Sequence, residues 1–356
     1  MFLLLAIIAL TAALAAANGA NDVSKGVATL AGSGVTRYRT AILWGAVSTL
    51  AGTLLSGFFA ARMLKLFTGG IVSATPTPAF ILAVICGAAG WVTIATVRRL
   101  PVSTTHAIIG SLIGAGVMYA PASVEWAAIA SRLAVPLLLS IVASYLLSAT
   151  LNRLFARRGE ASAADCICVG AQVVDAGVMQ IPQFSIMSGT THECAAERGH
   201  LRLDASKLHW LSSGAVGFAR GLNDGPKLVA IAAIVAGAHL DLNVLLLCVG
   251  VAMFAGSLYA GRRVAHVLAE GVVRMDHREG LLANLATAFL VSLGANLGLP
   301  MSTTHVATGA IAGIAGGDAG RLNRRTTRDL ILAWTLTPMV AGLIAGASYL
   351  AVARLV

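Results

Sequence analysis

Apolar residues in this chain occur in long blocks, without the short helical or strand periods that are typical of a soluble protein. A helix needs about 20 apolar residues to span the hydrocarbon core of a bilayer. Four blocks have about this length and predict simple spanning helices, whereas four are longer and are each interrupted by a polar motif. The blocks lie near residues 2–35, 40–60, 79–118, 132–152, 209–237, 243–260, 281–316 and 330–352.

One polar segment, residues 153–208, separates the blocks into two groups and carries six of the fifteen acidic residues and three of the five cysteines. It has no hydrophobic periodicity that predicts a folded domain, so we expect a solvated loop. The chain is therefore divided into a first transmembrane repeat (1–152), a polar central loop (153–208) and a second transmembrane repeat (209–356).

The polar interruptions recur in both groups of blocks. The sequence Gly-Ala-Asn-Asp that ends at Asp22 returns as Gly-Leu-Asn-Asp ending at Asp224, and Pro-Val-Ser-Thr-Thr-His from Pro101 returns as Pro-Met-Ser-Thr-Thr-His from Pro300. Two motifs in the same order and at nearly the same spacing indicate a duplication. Because the counterpart of residues 1–22 is internal, we expect the apolar start to be mature structure and not a cleaved signal.

Loop charges predict how the two repeats are oriented. Connection 36–39 is basic while its counterpart 238–242 is not, and connection 318–329 is basic while 119–131 is not. The third pair, connections 61–66 and 261–280, is basic in both halves and does not follow this pattern. Opposite loop charge favours inverted insertion, in which each half has three crossings and a re-entrant hairpin that ends at Ser-Thr-Thr. Both termini would then lie outside and the central loop in the cytoplasm.

One pair of charges does not fit this arrangement. Arg98 and Arg99 would lie at the tip of the first hairpin, where charge is costly at membrane depth unless it faces water or an anion. The second repeat has Gly298 and Leu299 at the corresponding positions. If the two arms of the hairpin are separate spans, the arginines lie in a loop instead.

Composition supports a membrane protein. Hydrophobic residues make up 57% of the 356 residues and charged residues 11%, whereas a soluble domain carries about 25% charged residues. These values exclude a soluble enzyme, a disordered chain and a nucleic-acid binder. The net charge of +10 comes from Arg and Lys in short loops, which fits membrane topology and contact with anionic lipid. We therefore predict an all-α polytopic protein of the cell membrane (plasma or inner membrane), surrounded by the lipid bilayer.

The repeated motifs predict an anion site. Asn and Asp are good N-caps, and in Pro-x-Ser-Thr-Thr the proline ends one half-helix while the hydroxyls begin the next. Four half-helix N-termini are thus predicted near the midplane, where free N–H groups and the helix dipole favour an anion. The hydroxyls available to donate to a tetrahedral oxyanion are those of Ser103, Thr104, Thr105, Ser302, Thr303 and Thr304.

Two carboxylates interrupt apolar blocks. Asp22 and Asp224 are candidates for function because acids inside a membrane are costly. They can share a cavity with an anion only when cations or protons lie between, so we predict that a cation enters with the anion. Lys25 and Lys227 follow at equivalent positions and either face the site, where they modulate its charge, or are ion-paired or snorkelling within the scaffold.

Histidines and cysteines leave further alternatives open. His106 and His305 follow the hydroxyl clusters and either relay protons or are structural hydrogen-bonded histidines. In the central loop, a weak candidate zinc site is formed by two cysteine- and histidine-containing pairs, with reduced cytosolic thiols as the alternative. Its residues are Cys166, Cys168, His192 and Cys194.

At these motifs the sequence resembles the inorganic phosphate transporter (PiT) family of phosphate permeases. The resemblance covers essentially the whole membrane portion and rests on four motifs: Gly19–Asp22, Gly221–Asp224, Pro101–His106 and Pro300–His305. It implies an all-α fold of inverted-topology repeats, with broken helices and re-entrant hairpins that meet at a midplane site. It also implies secondary active import of inorganic phosphate with sodium or protons, alternating access, no cofactor, and a homodimer.

The resemblance also implies roles for particular residues. Asn21, Asn223 and both aspartates would bind the coupling cation, and the sequence departs from many members at Lys25, Lys227 and the Arg98–Arg99 pair. Implied around the phosphate are Asp22, Ser103, Thr104, Thr105, Asp224, Ser302, Thr303 and Thr304.

Three other functions are weighed against phosphate symport. A sulfate transporter of the same architecture is disfavoured by Asp22 and Asp224, because only phosphate can donate hydrogen bonds to carboxylates at neutral pH. A passive anion channel has no need for paired aspartates. A membrane enzyme that acts on phosphorylated lipid would need a nucleophile–base pair or a metal cluster, and the apolar blocks show neither.

Overall fold

Helices occupy the apolar blocks in the computed structural model of this chain, which confirms the all-helical class of the membrane portion. The structure describes residues 2–58, 60–155, 166–175, 180–189, 201–236, 240–316 and 318–354. The helices are α1 (Phe2–Asp22), α2 (Ser24–Gly32), α3 (Tyr38–Leu55), α4 (Ala60–Gly69), α5 (Pro78–Val97), α6 (Thr104–Tyr119), α7 (Trp126–Ile129), α8 (Val135–Leu154), α9 (Ala205–Ala236), α10 (Leu242–Ala260), α11 (Arg262–Gly271), α12 (His277–Leu297), α13 (Thr303–Gly313) and α14 (Arg324–Val352).

The described residues include seven helical segments that are long and apolar enough to cross a membrane. Large apolar side chains cover their outer faces, for example Leu138, Phe289 and Leu343. In a soluble protein such a surface would aggregate, whereas in a bilayer it contacts acyl chains. The chain is a multi-pass membrane protein.

The central segment contains a sheet, which corrects the expectation of a plain loop. Strands β1 (Cys166–Asp175), β2 (Gln180–Gly189) and β3 (Leu201–Asp204) form an antiparallel sheet in the order β2-β1-β3. β3 continues directly into α9. β1 and β2 carry no regular polar–apolar alternation along their whole length, and β3 alternates over only four residues. The signal that defines the sheet is pairing with a neighbouring strand, which local periodicity does not reveal.

The helices of the two halves pack against each other reciprocally. α1 packs against α10 of the second half, and α3 packs against α9. The glycines of the Gly-x-Asn-Asp motifs explain this proximity: a Cβ at Gly19 would lie 2.0 Å from the carbonyl oxygen of Met253, and one at Gly221 would lie 2.3 Å from that of Thr49. These glycines serve close backbone packing between the halves.

The two hairpin turns, which join α5 to α6 and α12 to α13, have the same backbone conformation. Arg99 has φ 60° and Gly298 has φ 71°, so the turns align Arg99 with Gly298 and Leu100 with Leu299, which corrects the sequence pairing of Arg98 and Arg99 with these two residues by one position. In both turns the next leucine donates its N–H back to the last helical turn, Leu100 to the carbonyl of Ala95 and Leu299 to that of Gly294, each at 2.8 Å. This is a Schellman motif, which favours glycine at the left-handed position. The structure places Arg98 and Arg99 in this turn with both side chains exposed.

Candidate functional site

The N-termini of α6 and α13 meet inside the protein. The side chain of Ser103 accepts a hydrogen bond from the backbone N–H of His106 at 3.2 Å, and Ser302 accepts one from His305 at 3.3 Å. The Ser302 hydroxyl also donates to the Ser103 hydroxyl at 2.9 Å. Two of the four predicted helix N-termini are therefore confirmed, and a direct contact joins them.

The N-terminus predicted after the second Asn-Asp pair is wrong, and the one predicted after the first pair lacks the expected Asn or Asp cap. α1 ends at Asp22 and α2 begins at Ser24, but the intervening Val23 keeps helical dihedrals and has no side-chain cap. α9 continues through the second Asn-Asp pair and through Pro226 without a break. The reason is that the Asn and Asp side chains are engaged with the hairpins and with each other, so they do not cap their own helices.

Each asparagine of the Asn-Asp pairs holds one hairpin. The Asn21 amide donates to the carbonyl of Leu100 at 2.9 Å, and its oxygen accepts from the backbone N–H of Val102 at 3.1 Å. The Asn223 amide donates to the carbonyl of Met301 at 2.9 Å. Val102 and Met301 immediately precede the two Ser-Thr-Thr sequences. The asparagines therefore fix the starts of α6 and α13 against α1 and α9.

The two aspartates come together at one buried point. Asp22 and Asp224 are 1% and 4% exposed. The Asn18 amide donates to Oδ2 of Asp22 at 3.1 Å and to Oδ2 of Asp224 at 3.3 Å, and the Thr104 hydroxyl donates to Asp22 at 3.4 Å. One amide thus bridges carboxylates from opposite halves. Asn18 is a site residue that the sequence analysis missed.

Lys25 lies within the site, with its ammonium fully buried. Its Nζ forms an ion pair with Oδ1 of Asp22, and also donates to the backbone carbonyl of Asn21 at 3.3 Å and to the Asn21 side-chain oxygen at 3.2 Å. A snorkelling side chain would reach the membrane surface. The ion pair with Asp22 excludes snorkelling for this residue and places its ammonium beside a carboxylate of the predicted site.

Lys227 links the second aspartate to both hairpins. Its Nζ donates to the Thr105 hydroxyl at 2.9 Å and to the carbonyl of Met301 at 2.8 Å, and lies 3.4 Å from Oδ1 of Asp224. This lysine is also 1% exposed. Because Thr105 belongs to the first hydroxyl cluster, Lys227 lies among the residues predicted to bind the anion.

Arg220 is the second site residue that the sequence analysis missed. It is 1% exposed, and none of its three guanidinium nitrogens has a hydrogen-bond partner among the described residues. It lies one helical turn before Asp224 on α9. An unpaired buried charge costs several kcal/mol. A guanidinium presents five N–H donors in a fork that matches the oxygens of phosphate or a carboxylate.

The formal charges of the site favour an anion. Two carboxylates stand against two ammonium groups and one guanidinium, which leaves a net charge of +1. Both ammonium groups are paired with an aspartate, so the excess charge and the free donors belong to Arg220. The described site therefore matches a ligand with one negative charge and several hydrogen-bond acceptors.

The predicted hydroxyls are all buried around this point, but they are not equivalent. Thr104 accepts from Asn18 at 3.1 Å and contacts Asp22, whereas Thr304 donates to the backbone carbonyl of Val102 at 2.8 Å and joins the two hairpins. At most 5% of each residue is exposed. The set comprises Ser103, Thr104, Thr105, Ser302, Thr303 and Thr304.

The two histidines stack beside the serine contact. The rings of His106 and His305 lie 4.6 Å apart, and Nδ1 of His106 is 2.8 Å from the Ser103 hydroxyl. The ring of His305 also lies 4.4 Å from the ring of Trp334. The ring contact joins the two hairpins, but neither ring nitrogen of His305 has a hydrogen-bond partner among the described residues, so the structural role and the proton relay both stay predictions.

A family model for phosphate transporters matches residues 18–345, which include all four repeated motifs. The chain belongs to the phosphate transporter family. Among its relatives, a Mycobacterium bovis protein named "Probable low-affinity inorganic phosphate transporter" is 27% identical, with 98% of this chain and 77% of the relative covered. A Rhizobium meliloti protein of the same name is 26% identical, covering 94% and 92%.

A solved structure titled "The sodium-dependent phosphate transporter" has the same fold as the present chain. The TM-score is 0.81 at 20% identity, and each chain is covered completely. Family membership makes the protein a transporter, which excludes the enzyme acting on phosphorylated lipid. The candidate zinc site stays untested: the described residues contain no cluster of three or more metal-binding side chains, and His192 and Cys194 lie outside them.

Proposed function

We propose that this chain imports inorganic phosphate by cation-coupled symport, with alternating access around the buried site. The observation that carries the proposal is the buried, unpaired guanidinium of Arg220, which lies one helical turn before Asp224 on α9. The relatives named as inorganic phosphate transporters support the substrate. The neighbour titled sodium-dependent supports a coupling cation.

Phosphate fits this site better than sulfate does. At neutral pH phosphate keeps protons that can donate to Asp22 and Asp224, whereas sulfate has none to donate. The net formal charge of +1 is also balanced by phosphate monoanion and is exceeded by a sulfate dianion. A buried site that leaves carboxylates facing an unprotonated oxyanion would contain uncompensated repulsion.

Roles follow from the contacts of each group. Arg220, Asp22 and Asp224, together with the Ser-Thr-Thr hydroxyls, bind the phosphate, and the Asn-Asp pairs form the ligands of the coupling cation. The reciprocal packing of α1 with α10 and of α3 with α9 supports two halves that move against each other around a fixed site. Inverted orientation of the repeats and a homodimer remain part of this proposal.

Uptake of radiolabelled phosphate into proteoliposomes tests the function. Sodium and pH gradients are imposed separately, with excess unlabelled sulfate as competitor. We expect accumulation that requires a cation gradient and resists sulfate. Equilibration without dependence on any gradient would indicate a channel, and strong inhibition by sulfate would identify a sulfate transporter.

The Arg220→Gln variant tests the residue that carries the proposal. Removing a buried charged group that binds an anion costs roughly 2–5 kcal/mol, so we expect the KM for phosphate to rise steeply. Arg263→Gln is the matched control, since Arg263 is exposed on α11. Unchanged phosphate affinity in a folded Arg220→Gln variant would remove this residue from the phosphate site.

A further inference from the structure

We propose that the ammonium groups of Lys25 and Lys227 occupy the positions of the coupling cation, so that phosphate import by this chain does not require sodium. The inference rests on the proposed function, because it concerns the ion that accompanies phosphate. It assigns to two side chains the place that a mobile cation would take beside Asp22 and Asp224.

The surroundings of Lys25 have the composition of a cation site. Its Nζ contacts a carboxylate oxygen of Asp22, the backbone carbonyl of Asn21 and the side-chain oxygen of Asn21. Oxygen ligands of this kind are those that hard cations bind in proteins. An ammonium has three N–H donors, and here there are three oxygens to accept from them.

The surroundings of Lys227 repeat this arrangement with other groups. Its Nζ contacts the hydroxyl of Thr105, the carbonyl of Met301 and a carboxylate oxygen of Asp224. These ligands come from the first hairpin, the second hairpin and α9. A cation bound at this point would connect all three elements, and the tethered ammonium makes that connection permanently.

The charge balance of the site disfavours sodium. Each aspartate is already paired with an ammonium group, and the protein groups sum to +1. A sodium ion at either carboxylate would lie within a few ångströms of a fixed positive charge and would raise the total charge further. Phosphate monoanion neutralises the site without any added cation.

Protons then replace sodium as the coupled ion. Phosphate dianion that gains one proton becomes the monoanion that the site matches, so each phosphate carries its own proton into the cell. No redox partner or covalent step is required. A pH gradient with the acidic side outside raises the monoanion concentration outside and drives uptake.

The first experiment compares sodium with choline at the same pH gradient and repeats the comparison with a more acidic outside solution. Wild-type proteoliposomes receive equal outside concentrations of sodium chloride or choline chloride, and the initial rate of labelled phosphate uptake is measured. We expect the same rate in both salts and a higher rate when the outside is more acidic. Stimulation by sodium of about tenfold, equivalent to about 1.4 kcal/mol, would overturn the inference while leaving phosphate transport intact.

The second experiment measures sodium binding at the cation site without transport, through the thermal unfolding midpoint. Sodium should raise the thermal unfolding midpoint of the Lys25→Ala plus Lys227→Ala variant, compared with choline at equal ionic strength, because two carboxylates have lost their cations. The wild type should show no such shift. The chain has four lysines, so Lys65→Ala plus Lys207→Ala, which changes the two exposed ones, is the matched control.

The outcomes separate this inference from the proposed function. A sodium-dependent shift in the double variant alone supports the tethered cations, whereas a shift in the wild type as well, or none in the variant, overturns them. If no gradient drives phosphate uptake, the proposed function fails and the thermal measurement still decides where the cations lie. Should the variant not fold, the wild-type comparison of sodium with choline decides.

Discussion

At the scale of single residues, Asp224 contacts side chains from both halves of the protein, which its sequence motif alone does not indicate. It lies near the ammonium of Lys227 and accepts hydrogen bonds from Asn18 and from Asn223. Its charge therefore holds groups from both halves of the protein. A neutral side chain of the same shape would keep the packing and lose this balance.

The Asp224→Asn variant should lose gradient-driven phosphate uptake while staying folded. Lys227 keeps its contacts with Thr105 and Met301, so the local structure persists, but the formal charge of the site rises to +2. Uptake into proteoliposomes and the thermal unfolding midpoint measure the two effects. Asp329→Asn is the control because Asp329 lies at the surface in an ion pair with Arg328. Normal gradient-driven uptake by Asp224→Asn would contradict the role of the carboxylate.

The residues that could be predicted from sequence are those that belong to repeated motifs. Both aspartates and the six hydroxyls interrupt apolar blocks in the same order twice, and this repetition is visible in the chain itself. Asn18 and Arg220 occupy equivalent positions in the two halves but differ in type, so no repeat marks them. Their importance depends on which side chains surround them, and Arg220 is conspicuous only as a charge inside an apolar block.

At the scale of helices, the duplication is expressed as paired close contacts. Gly110 and Gly114 of α6 pack against α14, and their counterparts Gly309 and Gly313 of α13 pack against α8. Apolar helices in lipid gain little from hydrophobic burial against each other, so small residues that allow backbone contact decide where they associate. The hydrophobic pattern predicts the helices, but it does not predict these pairings.

Gly19→Ala should destabilise the protein. The added methyl would lie 2.0 Å from a backbone oxygen of α10, and overpacking of this kind costs about 1–3 kcal/mol or more. Gly69→Ala is the matched control, since a Cβ at Gly69 meets no atom within 4 Å. Thermal unfolding in detergent should give a lower midpoint for Gly19→Ala than for Gly69→Ala, and equal midpoints would refute the packing role of the motif glycine.

In the first hairpin turn, replacing a residue by glycine should stabilise the protein. Arg99 adopts the left-handed conformation that Gly298 adopts in the second turn, and this conformation costs a non-glycine residue about 1–2 kcal/mol. Arg99→Gly should therefore raise the unfolding midpoint, and Gly298→Ala should lower it. A decrease for Arg99→Gly would show that the arginine side chain stabilises the turn by more than its backbone costs.

At the scale of the whole molecule, the sheet of the central segment lies between the two membrane halves in sequence. The loop charges predict that this segment faces the cytoplasm. In a variant with Cys86→Ser and Cys248→Ser, the remaining cysteines belong to the central segment. A membrane-impermeant thiol reagent should label this variant in inside-out vesicles only. Labelling of right-side-out vesicles instead would reverse the predicted orientation.

The arrangement of Asp22 and Lys25 also affects how the chain enters the membrane during synthesis. Both belong to the first half, which is synthesised before the second half, and a lone charge at the centre of a bilayer costs about 2.5–3.5 kcal/mol. The two side chains are three residues apart and paired. The nascent segment can therefore insert with its two charges already neutralised. Arg220, by contrast, has no carboxylate of the first half near it until the two halves have assembled.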